Sequence, residues 1–227
     1  TFSLNVFGPV SNDDCASPDI IAGQGNFPFN NLSATTGVEG QFELSCDFFG
    51  STTVDNDVWY EWTADATGLA VVSTCGLTSV DTKMAAYDGS GCPADGSAIG
   101  CNDDACGFQS TLTFPCVSGS AYTLQVGTFP GAPGGVGTFD IDIFPPVLND
   151  DCSSPTMIAG QGVFPYSNIG ATTGLEGQIE PLCDAFGSTS VENDVWFEWT
   201  ADADGLALIS TCFQTTTDSK LAAYPSG

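Results

Sequence analysis

The sequence predicts an all-β protein built from tandem, disulfide-stapled β-sandwich (jelly-roll-like) domains, of which the second copy is incomplete. Three features predict it: a composition rich in Gly, Thr, Ser, Val and Phe, short apolar segments that alternate with polar residues, and ten cysteines. Such a composition disfavours helices and favours strands and turns. The alternating segments are separated at roughly even spacing by Gly, Asp and Pro clusters, which is typical of a sandwich or jelly roll.

An internal duplication organises the chain. Residues 12–15 recur as 149–152, and residues 56–65 recur as 193–202, at a constant offset of 137 residues. A period of this length indicates whole domains in tandem, because solenoid repeats are much shorter. The predicted organisation is the final strand of a preceding repeat over 1–11, a complete sandwich over 12–148 and a partial second repeat over 149–227.

Six short strands are predicted in the complete copy: the first alternates and is bounded by turn residues, and the other five are short segments separated by Gly, Asp and Pro clusters. Trp59 and Trp62 lie three positions apart on the first of them and therefore face opposite sides of the sheet. The six predicted strands are Val58–Trp62, Leu69–Thr74, Met84–Tyr87, Thr111–Phe114, Tyr122–Gly127 and Phe139–Phe144.

The second copy lacks the counterpart of residues 91–137 of the first, which contains two of the predicted strands. Leaving a few hundred Å² of apolar surface uncovered costs several kcal/mol at about 25 cal/mol per Å². Two expectations follow: the sequence is a window onto a longer array, or a neighbouring copy in a filament supplies strands. We favour the window, because the opening segment 2–7 is too short to replace the missing strands.

The charge balance excludes several classes of function. The chain has 2 Lys plus Arg, 28 Asp plus Glu and no His, for a net charge of −26. Nucleic acid is excluded as a partner, since phosphate binding needs a basic surface. No apolar run is long enough to insert into a membrane. A Ser-His-Asp triad and a His-ligated zinc site are impossible, which leaves carboxylate chemistry, calcium or no chemistry.

Ten cysteines in an acidic, Gly-rich chain indicate an oxidising compartment, so we expect an extracellular or cell-surface protein. Three cysteines of the first copy recur in the second, and the first two of them keep their separation of 31 residues, which favours pairing those two within each copy. These pairs are Cys15–Cys46 and Cys152–Cys183. A third predicted bridge, Cys92–Cys101, would close one loop. Cys75 is left to pair with Cys106 or Cys116, which leaves one thiol over.

Calcium is the cofactor that the sequence predicts, since Ca²⁺ takes six to eight oxygen ligands and clustered Asp and Asn residues offer them. The first predicted site is the loop that contains Asn102, Asp103 and Asp104. The second kind lies beside the domain junctions, at the pairs Asp13-Asp14 and Asp150-Asp151. The alternative is that these residues are turn formers whose side chains bond to their own backbone.

Two further features raise questions about sugars. Asn31 begins an N-x-Ser sequon and is a predicted glycosylation site, although such a sequon often stays unmodified. Carboxylates surround the Trp pairs of both copies, and a glycosidase needs two carboxylates that flank a sugar. They are Asp55, Asp57, Glu61, Asp194 and Glu198. Carbohydrate binding without hydrolysis is the simpler alternative for the same residues.

Four segments of the complete copy carry a family resemblance: Asp81–Tyr87, Cys101–Asp104, Gly119–Gly127 and Gly137–Ile141. They resemble the bacterial pre-peptidase C-terminal type of β-sandwich module, which occurs in tandem or appended to secreted proteins. The resemblance implies a jelly roll that mediates attachment or assembly and is not catalytic. Lys83 departs from the family pattern, which has an apolar residue there, and Cys116 is an added cysteine.

The predicted function is that of an extracellular structural or adhesive repeat module, a segment or subunit of a surface fibre, and not an enzyme. Its partners would be copies of itself in an array or filament, with glycans as further ligands. The alternative is a glycan-binding or substrate-tethering accessory region of a larger secreted enzyme. A hydrolase would require carboxylates paired in a cleft, and an exposed aromatic platform would favour glycan binding.

Overall fold

A computed structural model of the protein describes residues 8–184 and 187–225. The opening strand predicted over residues 2–7 lies outside the described residues. The chain divides into two compact units, Thr1–Pro145 and Pro146–Gly227, and each is described by itself. Among the described residues, no helix has the length and apolar character needed to cross a membrane.

The described part of the first unit consists of nine strands and one short 3-10 helix, so the all-β prediction is confirmed. The strands are β1 (Asp19–Ala22), β2 (Gly25–Asn30), β3 (Asp55–Thr63), β4 (Gly68–Ser73), β5 (Thr82–Asp88), β6 (Ala98–Asp103), β7 (Thr111–Cys116), β8 (Ala121–Thr128) and β9 (Val136–Phe144). The 3-10 helix, Leu44–Cys46, lies between β2 and β3. All six predicted strands are present, and β1, β2 and β6 were missed.

The nine strands form two sheets. The front sheet has the order β1-β3-β8-β5-β6, and the back sheet has the order β2-β9-β4-β7. Strand β1 is parallel to β3, whereas the other neighbours in both sheets are antiparallel. The two sheets are joined by one main hydrophobic core, as expected for a sandwich.

Strand β3 shows how the front sheet is buried on both faces. Trp62 belongs to the core between the sheets, where its ring centroid lies 6.0 Å from that of Phe114 on β7. Trp59 points the other way, into a second cluster with Tyr87 and two cysteines. The two tryptophans face opposite sides as predicted, and both are buried.

The second cluster is buried because residues 38–54, here called the cover segment, lie over the outer face of the front sheet. Gly40 sits directly on Gln125 and Tyr87, and the Ser51 carbonyl oxygen accepts a hydrogen bond of 2.8 Å from Lys83 Nζ. As a result, β5 and β8 are buried along nearly their whole length. The cover segment has no strand, and its only regular structure is the 3-10 helix.

Three disulfides join the first unit, and two predicted pairings are wrong. The bridges are Cys15–Cys92, Cys46–Cys101 and Cys75–Cys106, with Cα–Cα distances of 5.1, 5.3 and 6.0 Å. The predicted pairs Cys15–Cys46 and Cys92–Cys101 are replaced by the first two bridges. Any two cysteines of a duplicated segment keep their separation in both copies, so that separation carried no information about pairing. Cys106 is confirmed as the partner of Cys75, and Cys116 is the leftover thiol, buried and free.

Two of the bridges hold loops against the front sheet. Cys46 belongs to the cover segment, and its bridge to Cys101 fastens that segment to β6. Cys15 precedes β1, and its bridge to Cys92 fastens the N-terminal loop to the turn after β5. The two bridges span 55 and 77 residues of sequence. In the chain-entropy account, closing loops of this length stabilises the folded state by about 4 kcal/mol each.

The second unit repeats part of this architecture. Its strands β10 (Thr156–Ala159) and β11 (Phe197–Thr200) pair in parallel, in the same register as β1 and β3. Trp199 Nε1 donates to the Gly160 carbonyl oxygen, as Trp62 Nε1 donates to that of Gly23. A second 3-10 helix covers Pro181–Cys183. The duplicated sequence therefore forms this strand pair and this tryptophan hydrogen bond in both units.

Other parts of the second unit differ from the first. Leu206 and Leu208 are 100% and 92% exposed, in the segment that corresponds to β4. Cys152 and Cys183 are free, so the predicted bridge between them is wrong, and Cys212 is free as well. In the first unit the counterparts of these three cysteines bond to residues 92, 101 and 106, whose own counterparts would fall beyond residue 227. The expectation of a longer array or of exchanged strands stays a prediction.

Gly40 provides a stability test of the cover segment. Its φ is +67°, and a Cβ would lie 2.5 Å from Gln125 Oε1 and 2.6 Å from the Tyr87 hydroxyl oxygen. We expect Gly40→Ala to lower the free energy of unfolding by about 2–4 kcal/mol, because backbone strain adds to overpacking. The matched control is Gly50→Ala, where φ is +82° but no atom lies within 4 Å. The control should lower the free energy of unfolding by only about 1–2 kcal/mol, the cost of a left-handed backbone for Ala. Equal losses in urea unfolding would contradict the packing described here.

Candidate functional site

Three carboxylates meet at one edge of the front sheet. Asp81 precedes β5, Asp103 ends β6 and Asp104 follows it. The two strands are antiparallel neighbours with Lys83 opposite Asp103, so the start of β5 lies beside the end of β6. One carboxylate oxygen from each of the three Asp residues lies within 4.8 Å of the others. We call Asp81, Asp103 and Asp104 the acidic trio.

The acidic trio is short of hydrogen-bond donors. Asp103 is only 4% exposed, and neither of its carboxylate oxygens has a hydrogen-bond partner. Asp81 Oδ1 is likewise buried without a partner, whereas Asp104 is exposed. Burial, together with the nearby charge of Asp104, raises the pKa of Asp103 to about 6. Burial and the same neighbour also raise the pKa of Asp81.

The predicted calcium loop is thus rearranged by the fold. Asp103 and Asp104 come together, but the Asn102 side chain does not join them, because its Oδ1 accepts a hydrogen bond of 2.9 Å from Thr111 N. Side chains alternate along β6, so Asn102 and Asp103 face opposite sides. The third carboxylate of the group is Asp81 instead. The sequence did not predict it, because Asp81 comes near Asp103 and Asp104 only through the pairing of β5 with β6.

A buried lysine lies beside the acidic trio. Lys83 is fully buried, and its Nζ lies 5.6 and 5.7 Å from the ring centroids of Phe48 and Phe129, where cation–π attraction stabilises the charge. Burial lowers the pKa of Lys83, and the negative charge of Asp103 opposes that change. Lys83 is the residue that departs from the pre-peptidase pattern, and here it anchors the cover segment through Ser51.

Two exposed phenylalanines are linked to the start of β5, where Asp81 lies. Phe49 is 81% exposed and packs edge-to-face on Phe129, with ring centroids 6.2 Å apart. Phe129 N donates to the Asp81 carbonyl oxygen. Phe108 is 65% exposed, and its carbonyl oxygen accepts a hydrogen bond from Thr82 N, next to Asp81. We call Phe49, Phe108 and Phe129 the aromatic corner.

The other predicted calcium positions are occupied by local hydrogen bonds. Both carboxylate oxygens of Asp13 accept from Thr35, and those of Asp150 accept from Thr172 in the same way. Asp14 and Asp151 each accept from the backbone N–H two residues on, at Ala16 and Ser153. These are the contacts of turn-forming residues. Calcium at Asp13, Asp14, Asp150 and Asp151 stays a prediction.

The predicted glycosylation site is buried, which corrects the interpretation of its sequon. Asn31 is 0% exposed, its Nδ2 donates to the Asn56 carbonyl oxygen, and its Oδ1 accepts from Gly135 N. A glycan attached to Nδ2 would have to enter the packed interior. The Asn31 amide therefore serves to fix two loops in the folded protein.

The carboxylates around Trp59 do not form a cleft. Asp57 is fully buried on the outer face of the front sheet, where Gln125 Nε2 and Gly37 N donate to its two oxygens at 3.0 and 3.1 Å. Burial raises the pKa of Asp57 to about 6, although both hydrogen bonds oppose the change. Because Asp57 is out of reach of solvent and Trp59 is buried, this cluster offers no position for a glycosidic bond.

The raised pKa of Asp57 predicts that stability falls as the pH rises from about 4 to about 6. In that interval the unfolded chain, with a pKa of 3.8, has lost a proton that folded Asp57 still holds. Ionising the buried Asp57 carboxyl lowers the free energy of unfolding by about 3 kcal/mol. This loss is absent below pH 3.8 and complete above about pH 6. We expect Asp57→Asn to remove this part of the pH dependence, as measured by urea unfolding at pH 4 and pH 7.

The variant Asp88→Asn is the control, because it removes the same charge from an exposed position at the end of β5. It should keep the full difference between pH 4 and pH 7. Any constant packing penalty of the amide that replaces the Asp57 carboxylate cancels, since each variant is compared with itself at two pH values. A wild-type slope in Asp57→Asn would show that Asp57 is ionised at no cost in the folded state.

Comparison with known proteins adds a family. Residues 11–140, more than half of the chain, match a family described as galactose binding domain-like and associated with the T9SS, the type IX secretion system. Curated proteins and solved structures give no significant match. The β-sandwich that the pre-peptidase resemblance implied is confirmed. The chain therefore belongs to the T9SS-associated galactose-binding-domain-like family, whose modules are β-sandwiches of secreted or cell-surface proteins.

Proposed function

We propose that the chain is a non-catalytic glycan-binding module, which attaches a secreted or cell-surface protein to carbohydrate through the aromatic corner and the acidic trio. The observation that carries the proposal is that two largely exposed phenylalanines, Phe49 and Phe108, belong to segments that are linked to the start of β5 at the acidic trio, of which Asp104 is exposed. The galactose-binding-like family supports it, since folds of this kind can bind glycans without cleaving them.

The chemistry of a neutral sugar suits this corner. The C–H face of a pyranose packs against an aromatic ring, and its hydroxyl groups donate hydrogen bonds to carboxylate oxygens. Asp104 is the exposed carboxylate of the trio and is the one that a sugar can reach. Phe49 is held on Phe129, so its ring is positioned before a ligand arrives. A net charge of −26 repels uronic and sialic acids, so we propose neutral hexose-containing glycans as the ligand class.

The test is binding of the whole chain to an array of neutral and acidic glycans, followed by titration of the best neutral ligand. We expect Phe49→Ala and Phe108→Ala each to weaken binding about tenfold, because each removes one contact surface worth about 1–1.5 kcal/mol. Calcium is kept constant throughout. The ligand should be recovered unchanged after long incubation.

Phe42→Ala is the matched control. Phe42 is 67% exposed on the same cover segment, but the next residue, Glu43, accepts hydrogen bonds from Gly96 and Ala98 near the far end of the β5–β6 pair. Its replacement should leave affinity unchanged. The proposal fails if no neutral glycan binds, if acidic glycans bind better, or if Phe42→Ala weakens binding as much as Phe49→Ala.

A structural or adhesive array is the second candidate, and the duplication favours it. The parallel pairing of β1 with β3 recurs in β10 with β11, so the second copy adopts the same local fold as the first. Repeated sandwiches in series would form a stalk or fibre whose partners are copies of itself. Electron microscopy of the native protein on the cell surface separates the candidates, since an array predicts filaments with a regular repeat.

A further inference from the structure

We infer that the acidic trio of Asp81, Asp103 and Asp104 binds a divalent cation of the calcium class. This site does not depend on the proposed glycan function, and it can be tested in the absence of any sugar. The inference starts from the geometry: one oxygen from each of three carboxylates lies within 4.8 Å of the others, at a point where two antiparallel strands meet.

Asp103 is the second, independent observation. Only 4% of its surface is exposed, and neither carboxylate oxygen has a donor. Burying a carboxylate without a partner is costly, and two further carboxylates nearby add repulsion. Lys83 lies opposite Asp103 in the strand register but donates to the Ser51 carbonyl oxygen. Lys83 attracts Asp103 electrostatically, but among the described residues none donates a hydrogen bond to either Asp103 oxygen, so this buried carboxylate has no directly bound positive partner.

The donor set favours Ca²⁺ over transition metals. All three side chains offer oxygen, and three carboxylates can supply up to six ligand atoms, with water completing the shell. Zinc prefers His and Cys ligands, and the chain has no His. Cys106, two residues after Asp104, forms a disulfide with Cys75 and therefore cannot act as a thiolate ligand. Mg²⁺ requires a stricter octahedral geometry and retains its water, so we expect it to bind more weakly.

The frame around the trio is rigid enough to hold an ion. The Cys75–Cys106 bridge ties the loop after β6 to the turn after β4. Asn102, adjacent to Asp103, is fixed by the hydrogen bond from Thr111 N. Asp104 is exposed, so the ion would have a path from solvent and an open coordination position.

The experiment is calorimetric titration of the whole chain, first freed of metal with a chelator, with CaCl₂ and with MgCl₂, paired with thermal unfolding. We expect one Ca²⁺ per acidic trio, at least tenfold weaker binding of Mg²⁺, and a midpoint of unfolding that rises by about 5 °C in millimolar Ca²⁺. Terbium luminescence provides a second readout, because Tb³⁺ occupies calcium sites and should be displaced by Ca²⁺.

The variants separate a cation site from an ordinary acidic cluster. Asp103→Asn removes the buried charge, so we expect it to match or exceed the wild-type midpoint without metal and to lose the calcium-induced rise. Asp104→Asn, at an exposed position, tests the same ligand set without any risk to folding and should weaken Ca²⁺ binding at least tenfold. Asp88→Asn, at the other end of β5, should bind Ca²⁺ like the wild type.

Two results would overturn the inference. One is an identical unfolding midpoint in chelator and in millimolar Ca²⁺, with no heat of binding. The other is a Ca²⁺ affinity that survives in both Asp103→Asn and Asp104→Asn, which would place the ion elsewhere. Loss of glycan binding with calcium binding intact would refute the proposed function alone, so the two failures can be told apart.

Discussion

The structure depends on the cover segment, which has almost no regular secondary structure but excludes water from the outer face of the front sheet. Trp59 and Tyr87 lie on that face, as do the polar side chains of Lys83, Gln125 and Asp57, and all five are buried. Their burial favours folding only if the cover segment stays in place and if each polar group finds a partner. The bridge from Cys46 to β6 meets the first condition by tethering that segment directly.

The second condition is met by a chain of buried hydrogen bonds. Tyr87 donates to Gln125, Gln125 donates to Asp57, and Lys83 donates to the Ser51 carbonyl oxygen of the cover segment. Of these hydrogen bonds, the one from Lys83 reaches the cover segment itself and fixes it at Ser51. The arrangement ends at the acidic trio, where Asp103 is buried without a donor. Binding chemistry is therefore expected at this edge, on the side where Phe49 of the cover segment is exposed.

The sequence predicted the parts of the fold that depend on alternation and repetition. Strand β3 was identified from its alternating residues, and the opposite orientation of Trp59 and Trp62 followed from the two-residue period. Strand β2 was missed because it is an edge strand that contains Pro28, a residue atypical of strand interiors. The burial of Trp59 was equally hidden, since it depends on the cover segment, which carries no periodic signal.

Pairings between distant residues could not be predicted. Asp81 reaches Asp103 only through the β5–β6 register, and Asn31 is buried only because distant loops close over it. Disulfide connectivity is a property of the folded chain in the same sense, so mapping it tests the account most directly. Proteolysis without reduction, followed by mass spectrometry, should yield peptides linked as Cys15–Cys92, Cys46–Cys101 and Cys75–Cys106. A linked peptide that joins Cys15 to Cys46 would leave the cover segment untethered to β6 and would contradict the account.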